Sequence, residues 1–139
     1  MTRDEAYQIR AALDSFIGKI VDAPAEINAN MAAIRPWKPR VYEANKDVRM
    51  YDGVPYKCVQ SHDSTVNDDW NPAVTPALWM QYHGTTAETA RPWIAPTGAH
   101  DMYKQGEYMI WTDGALYRCE DDTVFSPGDY AQAWTKITQ

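Results

Sequence analysis

At 139 residues the chain has room for one ordinary domain or two very small ones, and its formal net charge of -6 disfavours a surface that tracks nucleic-acid phosphates. No apolar run approaches the roughly 18 residues of a membrane span, so no membrane partner is expected. The opening MTRDEAY lacks the apolar stretch of a cleaved signal peptide, and none is expected.

The first 34 residues read as helix. Thr2 with Glu5 makes a capping box, and apolar residues follow at Ala6, Ile9, Leu13, Phe16 and Ile20. This 3-4-3-4 spacing is the coiled-coil pattern, but it is too short for a strong isolated coiled coil. Pro24 opens a second helical stretch with Ile27, Met31 and Ile34 on one side. Two readings stand: a helical hairpin packed on the module that begins at Arg35, or an arm in residues 2–34 for self-association or for docking onto a larger protein.

Beyond the helices the chain writes one pattern twice. YDGVPYKC at Tyr51–Cys58 returns as TDGALYRC at Thr112–Cys119. With the Asp-Gly pairs aligned, Tyr56 meets Tyr117, Cys58 meets Cys119 and Tyr42 meets Tyr103. Upstream, Arg35-Pro36-Trp37 matches Arg91-Pro92-Trp93. Downstream, Trp70-Asn71-Pro72 matches Phe125-Ser126-Pro127, and Trp79 matches Trp134. So many coincidences in fixed order indicate a tandem duplication.

Asp-Gly between apolar residues signals a two-residue hairpin turn. Strands are predicted at Val48–Tyr51 and Val54–Gln60, at Tyr108–Thr112 and Ala115–Glu120, and starting near Trp79 and Trp134. Pro55 marks an edge strand or a gap in the ladder. Asp63–Pro76, rich in Asp, Asn, Thr and Pro, reads as loop, and Gly84–Ala90 as a flexible link. Each unit would be about 45–50 residues, a size marginal for a core, and large aromatics are the compact way to fill it. Trp37, Trp79, Trp93 and Trp134 are the expected core residues, with Tyr56 and Tyr117 core or half-buried. Cys58 and Cys119 occupy equivalent places in separate units and read as free thiols. The predicted fold is mainly β. It has two small three-stranded antiparallel modules, residues 35–84 and a degenerate repeat at 90–139, behind the helical segment 1–34.

The stretch YKCVQSHDSTVNDDWNPAVTPALW, Tyr56–Trp79, resembles the type-3 chitin-binding module, a small carbohydrate-binding domain. Tyr56, Cys58, His62, Ser64, Trp70, Pro72 and Pro76-Ala77-Leu78-Trp79 carry the likeness, over about Trp37 to Tyr82. Asp63 departs from it, and two extra residues precede Trp70. The second copy keeps Tyr117, Cys119, Pro127 and Trp134 but has Glu120–Thr123 in place of the histidine step and Phe125 in place of the tryptophan. The layout also resembles tailed-phage and prophage proteins in which such modules follow a short N-terminal segment. That likeness implies a virion appendage or decoration made in the bacterial cytoplasm and used in host attachment. An accompanying structural reading is a virion protein whose modules keep the fold and have lost the sugar site.

A sugar ring offers an apolar face of C–H groups to an exposed aromatic side chain, while polar neighbours bond its hydroxyls. The resemblance assigns the stacking role to Trp70, beside Pro72. In the polar loop NDDWNP, Trp70 is either an exposed platform or a lid folded over the sheet. His62 could bond a sugar hydroxyl or stabilise its loop. Tyr51 and Tyr82 could extend a stacking row. Phe125, with Pro127, is the second-site candidate. The expected partner is a polysaccharide or cell-wall glycan.

Other chemistries fit poorly. Cys58, His62 and His83 lack the paired cysteines of a structural zinc site, so no metal is expected. Asp68-Asp69 and Glu120-Asp121-Asp122 are adjacent acids in loops, whereas a glycosidase needs two carboxyls facing each other across a cleft. No nucleophile signature, phosphate loop or nucleotide fingerprint is present, so neither catalysis nor a cofactor is expected.

Overall fold

The computed structural model describes residues 1–137, so the last two residues of the second predicted module, Thr138 and Gln139, lie outside the described residues. The fold is mainly β with a helical N-terminal segment. The chain divides into two compact units, Met1–Gln81 and a second starting at Tyr82.

The first unit opens with α1 (Arg3–Lys19) and α2 (Pro24–Ala29). The Thr2 hydroxyl accepts from the Glu5 N–H at the start of α1 and satisfies one of its orphan donors. The buried stripe is not the one expected. Ile17 and Ile20 are buried and Arg10 and Leu13 half-buried, whereas Ile9 and Phe16 are 49% and 40% exposed. Arg10 fixes this rotation by donating to Asp14 and to the Ala33 carbonyl, and Asp14 also accepts from Arg35. Partial burial works against the Asp14 carboxylate, but the bonds from Arg35 and Arg10 hold its pKa below the usual range. The helix thus docks by one face, and Val21, Ile27 and Ile34 are also buried in the same unit.

The strands of this unit are β1 (Val41–Tyr42), β2 (Val48–Tyr51), β3 (Val54–Cys58), β4 (His62–Asp63) and β5 (Trp79–Gln81). An antiparallel three-stranded sheet has the order β2-β3-β5, and β1 pairs with β4. Asp52 and Gly53, at φ 50° and 77°, make the two-residue turn between β2 and β3. Pro55 faces Met50, one pair beyond Tyr56–Gln81, where β5 ends, so its missing N–H falls in a ladder gap. Tyr42, Tyr56, Cys58 and Trp79 form the core, with Trp37, Tyr51, Val54 and Leu78 packed around it.

The second unit holds β6 (Arg91–Pro92), β7 (Tyr108–Ile110), β8 (Leu116–Cys119) and β9 (Trp134–Ile137) in one four-stranded sheet. The expectation of a three-stranded antiparallel module is corrected here, because β6 joins β7 in parallel. The Arg-Pro-Trp segments are the cause. Trp93 N–H donates to the Ile110 carbonyl, as Trp37 N–H does to Met50 in the first unit. Tyr103, Met109, Cys119, Ala133 and Trp134 form this core, with Trp93, Trp111 and Tyr117 against it.

The two hairpins also differ. The second does not turn in two residues as expected. Trp111 N–H bonds the Ala115 carbonyl, so Thr112–Gly114 is a three-residue loop, and in its turn only Gly114 has positive φ. Asp113 accepts from the Ala115 N–H and the Tyr117 hydroxyl, which fixes the bend. The extra turn residue is balanced at the strand entrance, where Cys119 N–H bonds Glu107, next to Gly106, while Cys58 N–H bonds Asp47, two places after Asn45. Within this frame Trp111 stands where Tyr51 does, and Met109 where Arg49 does.

Both cysteines are free, buried thiols, and burial pushes Cys58 up to about 11 and Cys119 up to about 12. The Gly84–Ala90 segment is not a loose link. The Thr89 hydroxyl accepts from the N–H groups of Thr85 and Thr86, and Gly84 accepts from Tyr108 N–H. A Cβ on Gly84 would come within 2.5 Å of the Thr89 carbonyl oxygen. Gly84→Ala is therefore expected to destabilise the second unit by about 1–3 kcal/mol, seen as a lower Tm in calorimetry.

Candidate functional site

The loop between β4 and β5 holds Trp70. Local side chains shape it: Asn67 Oδ1 accepts from Asp69 N–H, Asn71 Oδ1 from Ala73 N–H, and Asn71 carbonyl from the Thr75 hydroxyl at 2.7 Å. Asp63 opens the loop by accepting from both the N–H and the hydroxyl of Thr65, and these bonds hold its carboxyl below the usual pKa range. Pro72 is buried beneath the turn, while Asp68, Asp69, Ala73 and Val74 are exposed.

Trp70 is half-buried, and its indole has neither a ring partner nor a hydrogen bond among the described residues. The other five tryptophans differ. Trp37 meets Tyr51 edge-on at 6.1 Å. Trp79 meets Tyr42 at 4.9 Å and His62 at 5.7 Å. Trp93 stacks on Tyr103 at 5.0 Å and meets both Trp111 and Trp134 edge-on. Trp70 alone among them is left with an unpaired ring.

The other candidates of this unit have ring partners, which Trp70 lacks. His62 is half-buried against the aromatic core, with its ring 5.6 Å from Tyr42. Its Nδ1 lies 2.8 Å from the Gln60 carbonyl, and its Nε2 is buried without a partner. Nδ1 is thus engaged with the backbone of its own loop. Tyr51 is half-buried on the Trp37 edge, and Tyr82 is buried in the second unit.

In the second unit Phe125 is 55% exposed, and Tyr130, at the other end of the same short loop, is 42% exposed. Ser126 holds that loop by accepting from the Asp129 and Tyr130 N–H groups, and Pro127 is half-buried. Trp134 donates its indole N–H to the Phe125 carbonyl at 3.0 Å, which ties the loop to the core. Trp111 was not a sequence candidate; it packs beside Gly128, with Trp93 at 5.7 Å. Its signal was the tryptophan one place before the aligned Thr112.

Among the described residues no group of three or more His, Cys, Asp or Glu side chains is placed to hold a metal ion, and no helix is long and apolar enough to cross a membrane.

Residues 36–80 match carbohydrate-binding module family 5/12. The match takes in β1 to β4, the Trp70 loop and the first two residues of β5, and leaves α1, α2 and the second unit outside it. No curated protein matches the chain.

Proposed function

We propose that the protein binds polysaccharide without catalysis, through a surface of the first unit centred on Trp70. The observation that carries this reading is the half-buried indole of Trp70, unpaired in a loop of polar residues, inside the stretch that matches a carbohydrate-binding family. A pull-down on insoluble chitin, cellulose and bacterial cell walls tests it. Retention on at least one of them is expected, and no retention on any would sink the reading.

The finer parts are proposals of the same kind. The second unit, 90–139 in the sequence reading, is a diverged copy of the first; the recurring parallel Arg-Pro-Trp segment and the recurring Cys–Trp strand pairs, Cys58–Trp79 and Cys119–Trp134, support this. It offers Phe125 in place of Trp70 as a weaker second site, or serves as structure alone. The structural reading draws support from the Trp134 bond that pins the Phe125 backbone. The setting is a phage or prophage virion appendage or decoration, a reading supported by the layout of a helical segment ahead of such modules.

The helical segment supplies self-association or docking onto a larger virion protein. Ile9 and Phe16, seven positions apart and so on one side of α1, leave an exposed apolar strip there. Light scattering on the full chain and on an Ile9→Ser, Phe16→Ser double variant tests this. A larger mass that falls on substitution supports self-association. Monomers in both would leave docking as the remaining use of the strip.

A further inference from the structure

A cleft of about 790 Å³ in the first unit is lined by residues running from Asp14 to Arg49 and includes none of the Trp70 loop. Arg35, Arg40 and Arg49 bring three guanidinium groups to it, with Asp14, Glu43 and Asp47 as the acids. The acids are already engaged. Asp14 is held by Arg10 and Arg35, Glu43 pairs with Lys46 at 3.2 Å, and Asp47 accepts from Glu43 N–H at 2.7 Å.

Arg49 is the unusual member. It lies in the middle of β2, is only 6% exposed, and makes no side-chain hydrogen bond or ion pair with any described residue. Its guanidinium packs 5.3 Å from the centre of the Tyr42 ring, and that of Arg40 packs 5.5 Å from the same ring. Burial draws the Arg49 pKa below the usual arginine range, Tyr42 and Asp47 act against this, and the nearby charges of Arg40 and Arg35 add to it. A guanidinium so placed is costly unless an anion answers it.

The fold itself does not ask for this charge. Arg49 pairs across the hairpin with Tyr56, and Met109 pairs in the same way with Tyr117. Met109 is fully buried in an apolar core, so an uncharged side chain of similar length fills that position.

We propose that this cleft binds an oxyanion, a carboxylate or a phosphate, with Arg49 and Arg40 as its donors and the buried Tyr42 ring as the rigid surface that positions both. The planar fork of a guanidinium matches two oxygens of either group. The site is separate from Trp70 and stands whether or not Trp70 holds sugar.

The test is titration of the full chain with sodium phosphate and with sodium glucuronate at constant ionic strength, and with glucose as the neutral control. Calorimetry gives the affinity, and the Arg49 side-chain Nε–H signal in NMR gives the location. Saturable binding with a Kd of about 1 mM or tighter is expected for at least one anion, with a moving Arg49 signal and no response to glucose. Phosphate alone would assign a phosphate ligand, glucuronate alone a carboxylate, and both the shared chemistry.

Arg49→Met should keep its far-UV circular dichroism and weaken anion binding about tenfold or more. Should that variant unfold, Arg40→Gln at an exposed position carries the same test. Retention on insoluble polymer should be unchanged in either. No saturable response to either anion overturns the proposal, as does undiminished affinity in the folded variant. Arg49 would then be a cover for the Tyr42 ring.

Discussion

Trp70→Ala is expected to abolish retention on the polymer that holds the intact chain, with far-UV circular dichroism and Tm unchanged, while Trp79→Ala is expected to unfold the first unit. The two tryptophans stand nine positions apart in one loop and strand, and their surroundings separate them. Trp79 is 1% exposed, faces Cys58 across β3, and touches Tyr42 and His62. Deleting a buried ring of that size costs about 3–5 kcal/mol, a large share of what a small domain has. Trp70 is half-buried and touches no ring among the described residues, so its truncation breaks no ring contact. Its loop keeps its shape through Asn67, Asn71 and Thr75, all of which survive the change. Retention assays and thermal melts on the two variants give the answer together. If Trp70→Ala loses its fold, Trp70 is a lid on the sheet and the proposed surface is wrong.

The division of labour among the aromatics follows from how little core a small unit can build. Tyr42 is fully buried and holds Lys38 through its hydroxyl, at 2.6 Å to the carbonyl, which fixes the segment beside Trp37. Tyr103 does the equivalent in the second unit, accepting from Ile94 N–H. Each sheet is narrow, so its rings must pack on one another, edge-on or stacked, to exclude water. A ring that joins this network is committed to structure. The Trp70 ring does not join it. The His62 ring is part of the network, and the Phe125 side chain stands outside it.

The sequence made the strand order of each hairpin readable because Asp-Gly and the alternating residues around it specify a local event. It made Trp79 and Trp134 readable as core because they bracket the repeated units, and in the structure each stands opposite a cysteine. Three features were not readable. The Arg91–Pro92 strand is two residues long, too short for any periodicity, and its pairing with β7 depends on contacts far along the chain. The equivalence of Trp111 with Tyr51 is hidden because the lost strand residue and the gained turn residue cancel, leaving the letters aligned and the register shifted. The apolar stripe of α1 was visible in its spacing. Its buried face, however, is set by Arg10, a charged residue that docks through its bonds to Asp14 and Ala33.

The stability of the second unit is expected to be nearly flat between about pH 4.5 and 6.5, and Glu107→Gln is expected to make it acid-labile. Two buried groups oppose each other there. His83 stacks on Tyr103 at 3.6 Å with its Nε2 2.8 Å from the Asp101 carbonyl. Burial lowers its pKa from 6.5 to about 4; the Asp101 bond opposes this and the charge of Arg91 adds to it. Glu107 is 9% exposed and accepts from Lys104 N–H at 2.7 Å. Burial raises its pKa from 4.5 to about 7, against the Lys104 bond and charge, with Asp122 adding to the rise and Arg91 opposing it.

The signs then decide the outcome. His83 contributes stability that is full above pH 6.5 and is lost as pH falls toward 4, because the unfolded histidine takes up a proton that the folded one refuses. Glu107 contributes stability that is full below pH 4.5 and is lost as pH rises through 7. Between those limits the unfolded unit carries one proton on the histidine and the folded unit one on the glutamate, so proton uptake balances and the slope vanishes. Glutamine at position 107 keeps the acceptor for Lys104 and removes the titration. The His83 slope is then unopposed, and a displacement from 6.5 to about 4 corresponds to about 3 kcal/mol lost on acidification. The substitution should also stabilise the unit at and above neutral pH, where burying a charged Glu107 is most costly. Calorimetric Tm values of both proteins from pH 4 to 8 measure this, and parallel pH profiles would show that the two groups do not share the load.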